Sequence, residues 1–169
     1  MSDDRRFAAG VAAFGVVALV HAALTWPVAA TVALFGGGAL VAFVAEAVVI
    51  DLGWLERHVG PKVLGVPLYV LFGWTGTVYV AVRIALLVTG GPGPVAVGLA
   101  AGLATAYDLL TDHQGVERGH WTYTDDLPGP RLREVPWWNF AGWIVISSVS
   151  GDGTAVPIST FVERLWDTW

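Results

Sequence analysis

The sequence contains no cysteine, one lysine (Lys62), one methionine and little charge of either sign. Without cysteine it can form neither a disulfide nor a thiolate metal site. Only 14% of its 169 residues are charged, against roughly 25% in a soluble domain. Its net charge of −5, with no basic run, leaves no electrostatic footprint for nucleic acid. An acidic, lysine-poor chain rich in Ala, Val and Gly fits a GC-rich or halophilic source.

What the sequence has in abundance is apolar surface. Hydrophobic residues make up 55% of it, and the mean hydropathy is +0.63. They come in runs rather than in alternation, which is the pattern of helices in lipid. Five runs stand out, at residues 7–24, 28–50, 66–88, 95–110 and 135–149. A span needs about 20 residues. The second and third runs meet that length, the first and fourth are marginal, and the fifth is short. The first run follows Arg5-Arg6, but no small-x-small site ends it, so it reads as a retained helix and not as a signal peptide. The fold class expected is therefore an all-α integral membrane protein. It forms a single domain over residues 1–169, a bundle of about five transmembrane helices. Residues 156–169 place Phe161, Leu165 and Trp169 four apart, the stripe of an amphipathic interfacial helix.

Arg5, Arg6, Arg57, Lys62, Arg118, Arg131 and Arg133 all fall on one side of a five-span bundle. The positive-inside rule makes that side cytoplasmic, with the N-terminus inside and the C-terminus outside. Arg83 falls within the third run and Arg164 on the far side.

A pattern V-P-x5-G-W occurs twice, at Val66–Trp74 and Val135–Trp143. Each copy opens an apolar run, and each follows a run whose end carries two acids: Glu46 and Asp51 in one case, Asp108 and Asp112 in the other. This predicts a parallel internal repeat, an arrangement that often sets a binding site at the repeat interface.

Glu46 lies inside the second run. An ionised carboxylate there is expensive, so it is protonated, paired or wet, or it reaches the interface. Asp108 and Asp112 are four apart and share a helix face. Two acids so placed can divide the work of proton donor and base. Asn139 sits among aromatic residues, where a buried amide orients a carboxylate or a water, or ties two helices together. Trp54, Trp74, Trp121, Tyr123, Trp137, Trp138 and Trp143 form either an interfacial belt or a wall that stabilises a cation. With Tyr69, these residues share one depth near the cytoplasmic side. Asp112, His113, Glu117 and His120 are close in sequence, but Glu117-x-x-His120 occurs once, whereas a carboxylate-bridged metal pair needs two copies on helices. Neither a metal nor another cofactor is expected. His21 and His58 are lone histidines and read as interfacial.

At these residues the sequence resembles the membrane carotenoid-biosynthesis proteins that include γ-carotene 1′,2′-hydratase and bisanhydrobacterioruberin hydratase. The resemblance runs from Glu46 to Trp74 and from Tyr107 to Trp143. It is carried by Glu46, Gly60-Pro61, Gly65-Val-Pro-Leu68 and Trp74, then by Asp108-x3-Asp112, Gly119-His-Trp-Thr-Tyr123, Val135-Pro136 and Asn139-Phe-Ala-Gly-Trp143. The chain differs from the family pattern at His113, at Tyr123 and in its short length. The resemblance implies cofactor-free hydration of a terminal isoprenoid C=C of a C40 or C50 carotenoid, and a haloarchaeal source. On that reading Asp108 or Glu46 donates the proton, and Asp112 and Asn139 position water. Tyr69, Trp74, Trp121, Tyr123, Trp138 and Trp143 line the substrate, and of these Trp121, Tyr123 and Trp138 shield the cation. Partners are a carotenoid or isoprenoid lipid, the bilayer, and a second copy or a partner membrane enzyme. Two other readings stay open: a non-catalytic membrane module that binds a carotenoid or assists another enzyme, and a small proton-linked transporter.

Overall fold

A computed structural model describes residues 3–152. The amphipathic stretch expected at 156–169, Arg164 included, lies outside the described residues. Five helices follow one another: α1 (Asp3–Thr25), α2 (Val28–Asp51), α3 (Leu68–Thr89), α4 (Pro94–Glu117) and α5 (Trp137–Asp152). Among the described residues, α1 to α4 are long and apolar enough to cross a membrane. Four apolar helices fit a membrane protein. Within the described residues the fifth run contributes a helix of 16 residues, roughly 24 Å at 1.5 Å per residue.

Proline and glycine set the helix limits. Pro27 and Pro67 precede the first residues of α2 and α3, and Pro94 is the first residue of α4, where its missing N–H is no loss. Gly90, at φ 75°, ends α3 in the left-handed conformation. Helix α2 carries one turn of π-helix at Ala33–Gly37. Helix α4 runs seven residues past the expected limit of 110 and carries Asp112, His113 and Gln114 with it. The apolar run ends at Leu110, but the helix continues because Asp112 and Gly115 are buried against the strand that follows.

The chain is also not purely helical. Six short strands form three antiparallel pairs, all at one end of the bundle: β1 (Leu55–Arg57), β2 (Lys62–Val63), β3 (Val66–Pro67), β4 (Trp121–Tyr123), β5 (Arg131–Leu132) and β6 (Val135–Pro136). Strand β1 pairs with β4, joining the connection after α2 to the connection after α4. The β2–β3 and β5–β6 hairpins have the same form. Each ends in Val-Pro and leads straight into a helix, α3 or α5. Each turns through two residues of positive φ, Leu64 and Gly65 in one and Arg133 and Glu134 in the other, as a two-residue primed turn requires. The hairpins use Val66-Pro67 and Val135-Pro136 as strand residues, so α3 and α5 begin two residues later than hydropathy alone indicates.

Helix α3 packs against α1, α2 and α4, and α4 also packs against α5. Small residues allow the α1–α3 approach: a Cβ at Gly76 would stand 2.8 Å from the Phe14 ring, and one at Gly15 would overlap Phe72. Alanines of α3 and α4 (Ala81, Ala85, Ala96, Ala100 and Ala104) form a second close seam.

Candidate functional site

The N-terminal ends of α1, α3 and α5, the C-terminal ends of α2 and α4, and all six strands meet at one end of the bundle. An open cavity of about 500 Å³ lies there, lined by all five helices together with β1 and β4. The residues expected from the sequence to act on or line a substrate all line it: Glu46, Asp108, Asp112 and Asn139, and the rings of Tyr69, Trp74, Trp121, Tyr123, Trp138 and Trp143; Trp54 and Trp137 do not.

The two aspartates are buried, one turn apart on α4. Each accepts one hydrogen bond from a neutral donor. Asn139 Nδ2 of α5 donates to Asp108 Oδ2 at 2.8 Å, and Tyr123 Oη of β4 donates to Asp112 Oδ2 at 2.8 Å. Burial, with Asp112 alongside, pushes the Tyr123 hydroxyl well above its ordinary value, so it stays a donor. Asp112 is therefore no fraying helix end, and Asn139 serves a carboxyl.

Glu46 is not a free acid. Arg57 of β1 binds it through two bonds, Nη2 to Oε1 at 2.5 Å and Nε to Oε2 at 3.1 Å, with both side chains about nine-tenths buried. Burial works against the charge of Arg57, but Glu46 outweighs it and holds the guanidinium above its ordinary value. The same guanidinium lies 4.7 Å over the Trp121 ring. The cation on Trp121 is thus Arg57 itself.

Sequence reasoning placed Arg57 only as a loop charge that marks the inner side. Its position depends on β1 pairing with β4, which sets Arg57 opposite Trp121. One signal was available: an arginine shortly after a helix that ends with a buried glutamate.

The remaining rings stack among themselves. Trp74 and Trp143 lie parallel at 4.4 Å, while Trp138 meets Tyr123 edge-on at 5.6 Å and Trp54 at 5.6 Å. Phe7 of α1 lines the cavity as well. It packs 3.9 Å from His120 and edge-on to Tyr69 at 5.5 Å. The polar residues that looked like a cluster in sequence are pulled apart. Asp112 turns to Tyr123, His113 Nε2 takes a hydrogen bond from Arg133, and His120 turns to Phe7. Among the described residues no three His, Asp or Glu side chains group to hold a metal ion.

Buried side-chain atoms without a partner include Tyr69 Oη, His120 Nδ1 and Trp121 Nε1. An unpaired buried polar group costs about 1–3 kcal/mol, and all three belong to residues lining this cavity.

A family model for carotenoid biosynthesis proteins matches residues 7–160, nearly the whole chain. The chain belongs to the carotenoid biosynthesis protein family. No curated protein and no solved structure matches it significantly. Membership places the chain in carotenoid biosynthesis, and its apolar helices are consistent with a lipid substrate and a bilayer around it.

Proposed function

We propose that this member of the family adds water to the terminal C=C of a carotenoid's isoprenoid end. The observation that carries the reading is the buried pair Asp108 and Asp112, each held by one uncharged donor, inside a cavity walled by aromatic rings. Arg57 is committed to Glu46, and among the described residues no ion pair reaches either aspartate. This is the environment in which one carboxyl serves as acid and its neighbour as base.

The steps balance as an addition. The carboxylic acid of Asp108 gives its proton to the terminal alkene, leaving a tertiary carbocation and a carboxylate. The oxygen of a water molecule bonds to the cationic carbon, and the Asp112 carboxylate takes the proton that water releases. A proton passed from Asp112 to Asp108 resets the pair. Trp74, Trp143 and Trp138 present ring faces or edges to the cavity, and ring faces attract a cation. Glu46 holds Arg57 in place and is not the proton donor. At about 500 Å³ the cavity suits one end of the substrate, with the remaining polyene in the lipid.

The two acid-ended helices, each followed by a like-shaped hairpin and a V-P-x5-G-W helix, support a parallel duplication. Asp108, Asp112 and Asn139 all come from the second unit. Arg57, Lys62, Arg118, Arg131 and Arg133 lie at the cavity end, which supports a cytoplasmic position for it.

The test is expression in cells that accumulate the anhydro carotenoid, with pigments separated by chromatography and weighed by mass spectrometry. A product heavier by one water is expected. Its absence, with the protein verified in the membrane, overturns the reading in favour of a non-catalytic carotenoid-binding module.

A further inference from the structure

We infer that Tyr69, His120 and Trp121 form a water-holding subsite around Phe7 in the cavity, which supplies Asp112 with the water that is added. The inference rests on the hydration reading for its chemistry, but its geometry stands separately.

Three buried side chains there carry hydrogen-bonding atoms with no partner: the Tyr69 hydroxyl, His120 Nδ1 and the Trp121 indole N–H. Tyr69 is 5%, His120 4% and Trp121 8% exposed. They come from different parts of the chain, α3, the turn after α4, and β4, yet all three pack around one ring. Phe7 lies 5.5 Å from Tyr69, 3.9 Å from His120 and 6.2 Å from Trp121. Each also lines the cavity. The three acids of the site are already committed, Asp108 to Asn139, Asp112 to Tyr123 and Glu46 to Arg57. Buried unpaired donors and acceptors that line one cavity are what a bound water satisfies, given two to four polar partners.

The chemical character of the three groups suits water. The indole N–H only donates, and a tyrosine hydroxyl donates and accepts. Burial keeps His120 below its ordinary value, so the ring is neutral and Nδ1 can accept or donate by tautomer. No charge is present among the three to compete with a carboxylate for the water. The Trp121 N–H lies toward Asp112 without completing a hydrogen bond to it. The same indole therefore bears on both the subsite and the base.

The test combines a structural and a catalytic measurement on the full chain in lipid nanodiscs. With 15N-labelled tryptophan, the Trp121 indole signal is assigned by its loss in Trp121→Phe, and its magnetisation transfer from water is measured. A direct water contact is expected in the parent, and its loss in Tyr69→Phe. In pigment-producing cells Tyr69→Phe should lower hydrated product at least about tenfold, as loss of a positioned hydrogen bond does, with no fall in melting temperature. His120→Phe should do the same. Absence of a water contact at Trp121 in the parent overturns the subsite. So do Tyr69→Phe and His120→Phe proteins that hydrate at the parent rate. A water contact that Tyr69→Phe removes, in a protein that makes no hydrated pigment, upholds the subsite and counts against the hydration reading alone.

Discussion

Arg57 and Trp121 face each other across the β1–β4 ladder, with the guanidinium 4.7 Å from the centre of the indole ring. Glu46 grips the same guanidinium from α2. One arginine therefore ties α2, β1 and β4 together. Because β4 also carries Tyr123 to Asp112, the position of the acid pair's donor depends on an ion pair in the other half of the chain.

Breaking that ion pair from one side leaves a buried charge alone. Glu46→Gln or Arg57→Met should each cost about 3–5 kcal/mol, whereas the double variant, neutral on both sides, should recover much of the loss. Thermal melts of the four proteins in one detergent give the coupling energy. A double variant as unstable as the sum of the singles would show that Glu46 and Arg57 act independently.

Asp108→Asn keeps the shape of the side chain and its place beside Asn139 but removes the acid proton. Hydrated pigment should disappear while the protein stays monodisperse and melts near the parent temperature, since surrounding contacts are kept. Product at the parent level from a Glu46→Gln protein and none from Asp108→Asn would assign the donor; the reverse pattern would move the role to Glu46.

Gly115 has the Trp121 ring directly against it, and a Cβ there would overlap the ring. Gly115→Ala should displace Trp121 and destabilise the protein by about 1–3 kcal/mol, the usual range for overpacking. A shift in the Trp121 indole resonance accompanies the loss. An unchanged resonance and melting temperature would mean that the helix end yields instead.

Burial holds His120 below its ordinary value of 6.5, with Asp4 pulling the other way and Arg118 adding to the drop. The unfolded chain thus binds this proton more readily than the folded one. The neutral ring's contribution is whole above about pH 6.5 and shrinks as the pH falls below it. Melting temperature should decline on acidification from about pH 7 to about pH 5, and less steeply in His120→Phe. Parallel declines in the two proteins would remove His120 from the account.

Much of the site was legible because it is written at local spacing. Asp108 and Asp112 sit at i, i+4 in an apolar run, and the two Val-Pro dipeptides mark the starts of helices. Asn139 and the tryptophans fall within a turn or two of those marks. Arg57, His120 and Phe7 were not legible as site residues. Their roles arise from β1 meeting β4 and from α1 meeting the turn after α4, contacts between segments far apart in the chain that leave no periodic trace. The strands escaped for a related reason: each is two or three residues long, below the length at which alternation can be read. The start of the fifth helix was misplaced through composition, since Val135-Pro136 is apolar yet belongs to a hairpin.

Asp108 obtains its hydrogen-bond donor from Asn139, thirty-one residues further along and on the last described helix. In chain order α4 is made before either donor. The acid pair stays unfinished until the strand after α4 has supplied Tyr123 and α5 has supplied Asn139.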